Sequence, residues 1–165
     1  MGSGTWRRTP GQGKYAKAER ERRFLVDGEP SPLEQTRIIE DRYLSGGTLR
    51  VRAVRGDGEP VFKLTQKVRP NLDDPSEVAI TNLYLSEDEY QMLVTLPGAD
   101  LSKTRSLCEG FAVDVFHGPL EGLVLAEVEV DDLRADLALP RWLGSEVTYD
   151  DRYSGGGLAA GQGDL

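Results

Sequence analysis

The sequence predicts a mostly β fold in which eight or nine short strands form an antiparallel sheet. Short turns separate the apolar runs, and only two segments carry the signals of a helix. Such turns join antiparallel neighbours, because a parallel pair needs a crossover of a dozen or more residues. The 165 residues are enough for one domain with its own core. Strands of this number form either a sandwich or a closed barrel.

Glycine-containing turns separate the predicted strands. The clearest are Gly46-Gly47, Gly56-Asp57-Gly58 and Glu109-Gly110, and the second of them is typical of a β-hairpin. The strands are predicted at Ala18–Val26, Arg37–Leu44, Thr48–Arg55, Val61–Val68, Glu77–Leu85, Lys103–Cys108, Phe111–Phe116 and Leu123–Val130, with Val147–Tyr149 as a candidate ninth.

Two helices are predicted outside these strands. Ser86 and Glu89 have the spacing of a capping box, which opens a helix over Glu87–Leu96 that ends before Pro97. Asp131–Leu139 begins with two acidic residues, which a helix N-terminus favours, and it is followed by Pro140.

The two ends of the chain differ from the middle in composition. Residues 1–14 are glycine-rich with few apolar side chains, which predicts a disordered tail, and residues 160–165 are predicted to be a flexible C-terminus. Residues 15–159 form the predicted domain. No apolar run approaches the roughly 20 residues of a membrane span, and no signal peptide is visible. Cys108 is the single cysteine, so a reducing cytoplasm and no membrane partner are expected.

The charge of the chain restricts what it can bind. The formal net charge is −8, from 20 basic and 28 acidic residues, which makes nonspecific nucleic-acid binding unfavourable. One histidine and one cysteine cannot supply a zinc site with several such ligands. An acidic chain that binds phosphate therefore needs locally organised basic groups, or metal ions that bridge two sets of negative charge.

Charged residues recur at every second position of several strands, so each row lies on one face. Acidic and basic pairs fall on different strands, whereas a solvated face gains from mixing the two signs. A closed barrel would direct all rows into its interior, where arginine and lysine suit phosphate and clustered carboxylates suit Mg²⁺ or Mn²⁺. The rows are Glu19, Glu21 and Arg23; Arg50 and Arg52; Lys63 and Lys67; Lys103 and Arg105; and Glu127 and Glu129.

In this order, the rows resemble the signature segments of the CYTH superfamily, the triphosphate tunnel metalloenzymes. Glu19 to Arg23 is similar to the E-x-E-x-K signature of that family, and Leu49 to Arg52 is similar to its L-R-x-R strand. The match runs from about Ala18 to Ala159. The other segments that carry it are Lys63–Lys67, Lys103–Arg105, Val113–Phe116, Gly122–Glu129 and Glu146–Tyr153.

The resemblance implies a closed tunnel of eight antiparallel strands, with a few outer helices, that holds a small triphosphate along its axis. Arg23, Glu127 and Glu129 are then the expected catalytic residues. The implied ligands of Mg²⁺ or Mn²⁺ are Glu19, Glu21, Asp114, Glu127 and Glu129. The implied phosphate-binding residues are Arg50, Arg52, Lys63, Lys67, Lys103 and Arg105. Phosphoryl transfer depends mainly on positioning and on neutralising oxygen charge, which such residues provide.

The sequence departs from the family pattern at two places. Arg23 stands where the family usually has lysine, and it keeps the charge without the compact ammonium geometry. On the strand Glu77–Leu85, many members carry alternating carboxylates; we expect Glu77, Ala79 and Thr81 to face the tunnel here. That strand would leave a weaker second metal site.

Three functions remain open from the sequence. The first is metal-dependent hydrolysis of inorganic tripolyphosphate, favoured because little beyond the barrel and two short helices is present to recognise a base or a vitamin. The second is a non-hydrolytic module that binds polyphosphate or a nucleotide. The third is an enzyme similar to class IV adenylyl cyclase or thiamine triphosphatase. A homodimer is compatible with each of them.

Overall fold

The structure, a computed structural model, describes residues 9–161 of the chain. Residues 1–8 of the predicted tail and residues 162–165 of the predicted flexible C-terminus lie outside this range. Within the described part, residues 9–14 form a turn, in which the amide of Gln12 donates to the carbonyl of Thr9 at 3.2 Å.

Eight strands close into an antiparallel barrel, as predicted, and a ninth strand extends the sheet. Their order is β5-β4-β3-β2-β6-β7-β8-β1, and β1 closes the barrel by pairing with β5 through its first half and with β8 through its second half. The strands are β1 (Lys17–Val26), β2 (Glu34–Leu44), β3 (Leu49–Arg55), β4 (Val61–Val68), β5 (Glu77–Leu85), β6 (Gly98–Cys108), β7 (Phe111–Phe116), β8 (Val124–Glu129) and β9 (Leu143–Glu146).

The two α-helices of the described residues are short. Helix α1 (Glu87–Leu93) has the predicted capping box, since Ser86 and Glu89 bond reciprocally to each other's backbone, but it ends before Leu96. Helix α2 (Gly155–Ala160) was not predicted, because glycine disfavours helices. The hydroxyl of Ser154 caps it by accepting from the amide of Gly157 at 3.0 Å.

Two predicted elements are wrong. Residues 131–139 are not helical; the Asp132 carboxylate accepts from the amide of Arg134 at 2.9 Å. Such local bonding of an aspartate competes with a helix. Val147–Tyr149 is not the ninth strand, because β9 lies earlier in the chain and pairs with Phe24 and Val26 of β1.

Two apolar clusters hold the barrel together. The outer cluster packs Phe24, Phe111 and Trp142, with edge-to-face ring contacts at 6.1 and 5.7 Å. The inner cluster joins apolar residues of β6, β7 and β8 to α2, so that α2 covers one end of the barrel. Its buried members are Leu101, Phe116, Leu120, Leu125, Leu158 and Ala159. Of the helices in residues 9–161, none is long and apolar enough to cross a membrane.

Candidate functional site

The strand register places the predicted basic residues on one side of the sheet. Arg52 lies opposite Asp41 of β2 and Lys63 of β4, and Arg50 lies opposite Tyr43 and Thr65. Residues that oppose each other across an antiparallel pair point to the same face. The row therefore continues from strand to strand around the barrel.

Ion pairs between strands that are not neighbours show that this side is the interior. Lys67 Nζ of β4 lies 3.0 Å from Glu19 Oε2 of β1, although β5 separates the two strands. Arg105 Nη2 of β6 donates to Glu127 Oε2 of β8 at 3.1 Å across β7. Side chains on the outer face of a closed barrel diverge, so these contacts form inside it.

Asp114 lies at the centre of the basic side, where its side chain has no exposed surface. Its carboxylate accepts from Lys103 Nζ at 2.7 Å and from Arg105 Nε and Nη2 at 2.6 Å each. Burial lowers the pKa of Lys103, and the charge of Asp114 opposes that effect. Asp114 therefore lies among the other predicted site residues. It was predicted to be a metal ligand, but its side chain here accepts from Lys103 and Arg105.

Asp41 is a site residue that the sequence analysis missed. It is 3% exposed and accepts from Arg52 Nε at 2.6 Å and Arg52 Nη2 at 2.7 Å. Burial raises the pKa of Asp41, but the hydrogen bonds and charge of Arg52 outweigh burial and hold it below its usual value. The sequence feature that could have identified Asp41 is its position on β2, two residues from the buried Ile39 and therefore on the same face of the strand.

Arg50 has a buried donor that makes no hydrogen bond within residues 9–161. Its Nη2 donates to Thr65 Oγ1 at 3.0 Å, and Thr65 in turn donates to Asn82 Oδ1 at 2.7 Å. Arg50 Nε, in a side chain that is 8% exposed, has no hydrogen bond. A buried unsatisfied donor is costly unless a ligand completes it, so this atom points to an anion.

Lys63 is a basic residue of the interior with a lowered pKa. Burial lowers its pKa to about 8, and the charges of Arg52 and Arg50 add to that shift. An anion bound beside these three cations would restore the full charge of Lys63.

Glu127 links the basic and acidic sides of the interior. It accepts from Arg23 Nε at 2.9 Å as well as from Arg105. Burial raises the pKa of Glu127, but the charges of Arg23, Lys103 and Arg105 outweigh burial and hold it well below its usual value. Glu127 is therefore ionised at neutral pH.

Glu19 and Glu21 form a close carboxylate pair on β1. Burial, the charge of Glu127 and the proximity of Glu19 raise the pKa of Glu21 to about 8. Burial also raises the pKa of Glu19, but the charge of Lys67 and the side-chain interactions with Glu21 and Lys67 together outweigh burial and leave that pKa lowered. Glu129, the remaining predicted carboxylate, lies opposite Glu21 in the register and is exposed.

This acidic side has the donor chemistry that a divalent cation needs. Among residues 9–161, no three His, Cys, Asp or Glu side chains are yet grouped closely enough to hold an ion. However, Glu19 Oε2 is buried and makes no hydrogen bond within residues 9–161, although Lys67 Nζ lies 3.0 Å from it. The raised pKa of Glu21 shows that Lys67 only partly offsets the negative charge on this side, which suits Mg²⁺ or Mn²⁺.

A cavity of about 610 Å³ opens on the acidic side, between β1, β4 and α2. At its rim, an ion pair between Arg69 and Asp151 joins the segment after β4 to the turn before α2. A Cβ added to Gly155 of α2 would collide with the hydroxyl of Tyr43, so a larger residue there would displace the tip of that side chain. The charged lining residues are Glu19, Glu21, Arg23, Lys67, Arg69 and Asp151.

The predicted inward face of β5 is wrong, because the inward residues are shifted by one position along the strand. Val78 lies opposite Glu19, and Ile80, Asn82 and Tyr84 continue the interior row opposite the inward residues of β4. Glu77, Ala79 and Thr81 therefore face outward, and Glu77 accepts from Arg20 Nε at 2.8 Å on the outside. The inward row of β5 carries no carboxylate, and the weaker second metal site stays a prediction.

The chain is similar to known proteins in sequence and in fold. No protein-family model matches it. An inorganic triphosphatase of Acetivibrio thermocellus is 30% identical over 141 residues, which cover 82% of this chain and 88% of the relative. An inorganic triphosphatase of Nitrosomonas europaea is 31% identical over 150 residues, covering 86% and 96%. A crystal structure of an inorganic triphosphatase superposes with a TM-score of 0.58 at 29% identity, covering 86% of this chain and 93% of that one.

Proposed function

Because the chain belongs to the CYTH superfamily, the triphosphate tunnel metalloenzymes, we propose that it hydrolyses a small triphosphate and that inorganic tripolyphosphate is its substrate. The observation that carries this proposal is the convergence, inside a closed barrel, of basic rows from β3, β4 and β6 with carboxylates from β1 and β8. The relatives named above, both inorganic triphosphatases, support the choice of reaction.

The basic side would hold the phosphate chain. The Nε of Arg50, which makes no hydrogen bond within residues 9–161, and the lowered pKa of Lys63 both favour the binding of several negative charges beside them. Lys103 and Arg105 are fixed beside them by Asp114. These donors are buried and preorganised, so they can stabilise oxygen charge without reorganising during the reaction.

The acidic side would hold Mg²⁺ or Mn²⁺ through Glu19, Glu21, Glu127 and Glu129. A divalent cation bound there would neutralise phosphate charge and lower the pKa of a bound water. We assign Asp114 to positioning Lys103 and Arg105, because all its hydrogen bonds in the site are made to these two cations.

The reaction adds water to the terminal phosphorus. The water oxygen forms a bond to that phosphorus, the bridging P–O bond breaks, and orthophosphate and pyrophosphate leave. Charge develops on the leaving pyrophosphate, and Arg50, Arg52 and Lys63, which lie on the same inward row, would stabilise it. Arg23, bonded to Glu127 at 2.9 Å, would orient that carboxylate and contact the terminal phosphate.

Phosphate release from tripolyphosphate, ATP and thiamine triphosphate, with Mg²⁺ or Mn²⁺ and with chelator, tests this proposal. Metal-dependent release from tripolyphosphate that is lost in Glu127→Gln is the expected result. Glu77→Gln is the matched control, since it removes an ion pair of β1 on the outer face. Calorimetric binding of tripolyphosphate without any release would instead identify a binding module. A cyclic nucleotide with pyrophosphate from ATP would identify a cyclase.

A further inference from the structure

Asp41 is a carboxylate placed among the cations that would bind phosphate. Its side chain has no exposed surface, and Arg52, Arg50 and Lys103 all act on it electrostatically. A negative charge here opposes the binding of an anion. Its presence therefore needs a reason other than affinity.

The hydrogen bonds of Asp41 determine which edge of Arg52 is free. A guanidinium has five N–H donors in a planar fork. Asp41 accepts from the side edge, Nε and Nη2, at 2.6 and 2.7 Å. The donors that remain are the two of Nη1 and one of Nη2, which form the terminal edge. A phosphate can then approach Arg52 only end-on.

We propose that Asp41 is a positioning residue, which directs the terminal edge of Arg52 at the phosphate chain and limits how tightly that chain is held before reaction. This inference rests on the proposed function of the same site. Asparagine at this position would have one acceptor for two donors and no charge, so it would bind Arg52 loosely and repel the anion less.

Asp41 also leaves the side edge of Arg50 available. Its Oδ1 lies 3.7 Å from Arg50 Nε, too far for a hydrogen bond, and that Nε has no other partner. The two arginines thus offer different edges: Arg52 its terminal edge and Arg50 its Nε. Both edges lie on the inward row of β3, two residues apart.

The same two strands provide a matched ion pair on the outside of the barrel. Glu40, the neighbour of Asp41 on β2, accepts from Arg55 Nη1 of β3 at 2.8 Å, with side chains 54% and 42% exposed. This pair also joins an acid of β2 to an arginine of β3, but it does not face the site. The variant Glu40→Gln therefore measures the effect of losing such an ion pair while Arg52 keeps its position.

The test compares Asp41→Asn and Asp41→Glu with Glu40→Gln. Turnover of tripolyphosphate gives kcat, calorimetry gives its Kd, and thermal unfolding gives Tm. In Asp41→Asn we expect kcat to fall about 10- to 100-fold, the usual cost of losing a positioning partner, while Kd stays the same or falls. Asp41→Glu should recover part of kcat, and Glu40→Gln should leave both constants within about twofold.

An Asp41→Asn variant with unchanged kcat, or with weaker tripolyphosphate binding, overturns the inference. If that variant does not fold, the pair Arg52→Gln and Arg52→Gln/Asp41→Asn replaces it. Equal kcat in the two supports action through Arg52, and a further loss in the double variant contradicts it.

If the proposed function is wrong, turnover and binding by the wild-type protein show it separately from the Asp41 inference. Wild-type protein that binds tripolyphosphate without turning it over refutes hydrolysis. The Asp41 inference then depends on Kd, which supports it when Asp41→Asn binds as tightly or more tightly and refutes it when that variant binds more weakly. Wild-type protein that neither binds nor hydrolyses tripolyphosphate refutes both.

Discussion

Arg23 Nε donates to Glu127 Oε1 at 2.9 Å, which ties the residue that departs from the family's lysine to a carboxylate of the proposed metal site. Arg23 is mostly buried and also lies 3.8 Å from Glu21 Oε2. Its charge is one reason that the pKa of Glu127 stays well below its usual value. The substitution thus preserves a cation between the carboxylates of β1 and β8.

Arg23→Met should lower kcat for tripolyphosphate by about 100-fold or more, because a buried cation next to the reacting phosphate is removed. Arg23→Lys should retain most of the activity, since the charge persists. Phosphate release at saturating substrate checks both variants, with Arg22→Met as control, because Arg22 bonds Glu146 on the outer face at 2.8 Å. Full activity of Arg23→Met would remove Arg23 from the catalytic residues.

Binding of tripolyphosphate should take up protons near pH 8 through Lys63. Burial and the neighbouring arginines hold its pKa at about 8, so it is partly neutral there, and a bound anion raises that pKa. Affinity should accordingly weaken as the pH rises above about 8. Calorimetry in two buffers of different ionisation heat measures the uptake. Lys63→Arg, which stays charged, should lower it, and equal uptake in both proteins would assign the proton elsewhere.

The barrel was predictable because its signals are local and repeated. Alternating charges mark β1, β3, β4, β6 and β8, glycine turns separate several of the strands, and the capping box of Ser86 and Glu89 marks α1. The phase of β5 was not predictable in the same way, since Val78, Ala79, Ile80 and Thr81 present similar side chains on both faces. A shift of one residue exchanges the faces of a strand. The pairing of Glu19 with Val78, together with the pairing of β5 with β4, shows which face of β5 is inward.

Features that depend on distant contacts were missed for a physical reason. Asp41 lies between Glu40 and Arg42, so the sequence of this segment resembles an ordinary charged strand. The role of Asp41 depends on Arg52, which lies opposite it on β3. Helix α2 forms from glycines because Leu158 and Ala159 are buried against the barrel end, which offsets their poor propensity. Cytoplasmic location, a homodimer and the absence of nucleic-acid partners stay predictions.

The metal-free protein should lose stability as the pH rises, through Glu21. Its pKa is raised from 4.5 to about 8 in the folded state, so the folded protein binds this proton more tightly than the unfolded chain. The resulting stabilisation is complete below about pH 4.5 and is lost as the pH rises through about 8. Thermal unfolding with chelator across this range measures it. Glu21→Gln should flatten the decline, and an unchanged slope would contradict the assignment.

Asp114 should contribute far more to stability than an exposed acid does. Asp114→Asn removes the carboxylate bonded to Lys103 and leaves Arg105 with Glu127 alone in a buried site, which should cost about 3–5 kcal/mol of unfolding free energy. Asp100→Asn is the control, since Asp100 pairs with Arg42 at 2.7 Å but its side chain is 75% exposed, and it should cost less than about 1 kcal/mol. Denaturant unfolding measures both variants. Equal costs would show that Lys103 and Arg105 find other partners or that water reaches them. The interior would then be too polar for the preorganised charge that the proposed reaction uses.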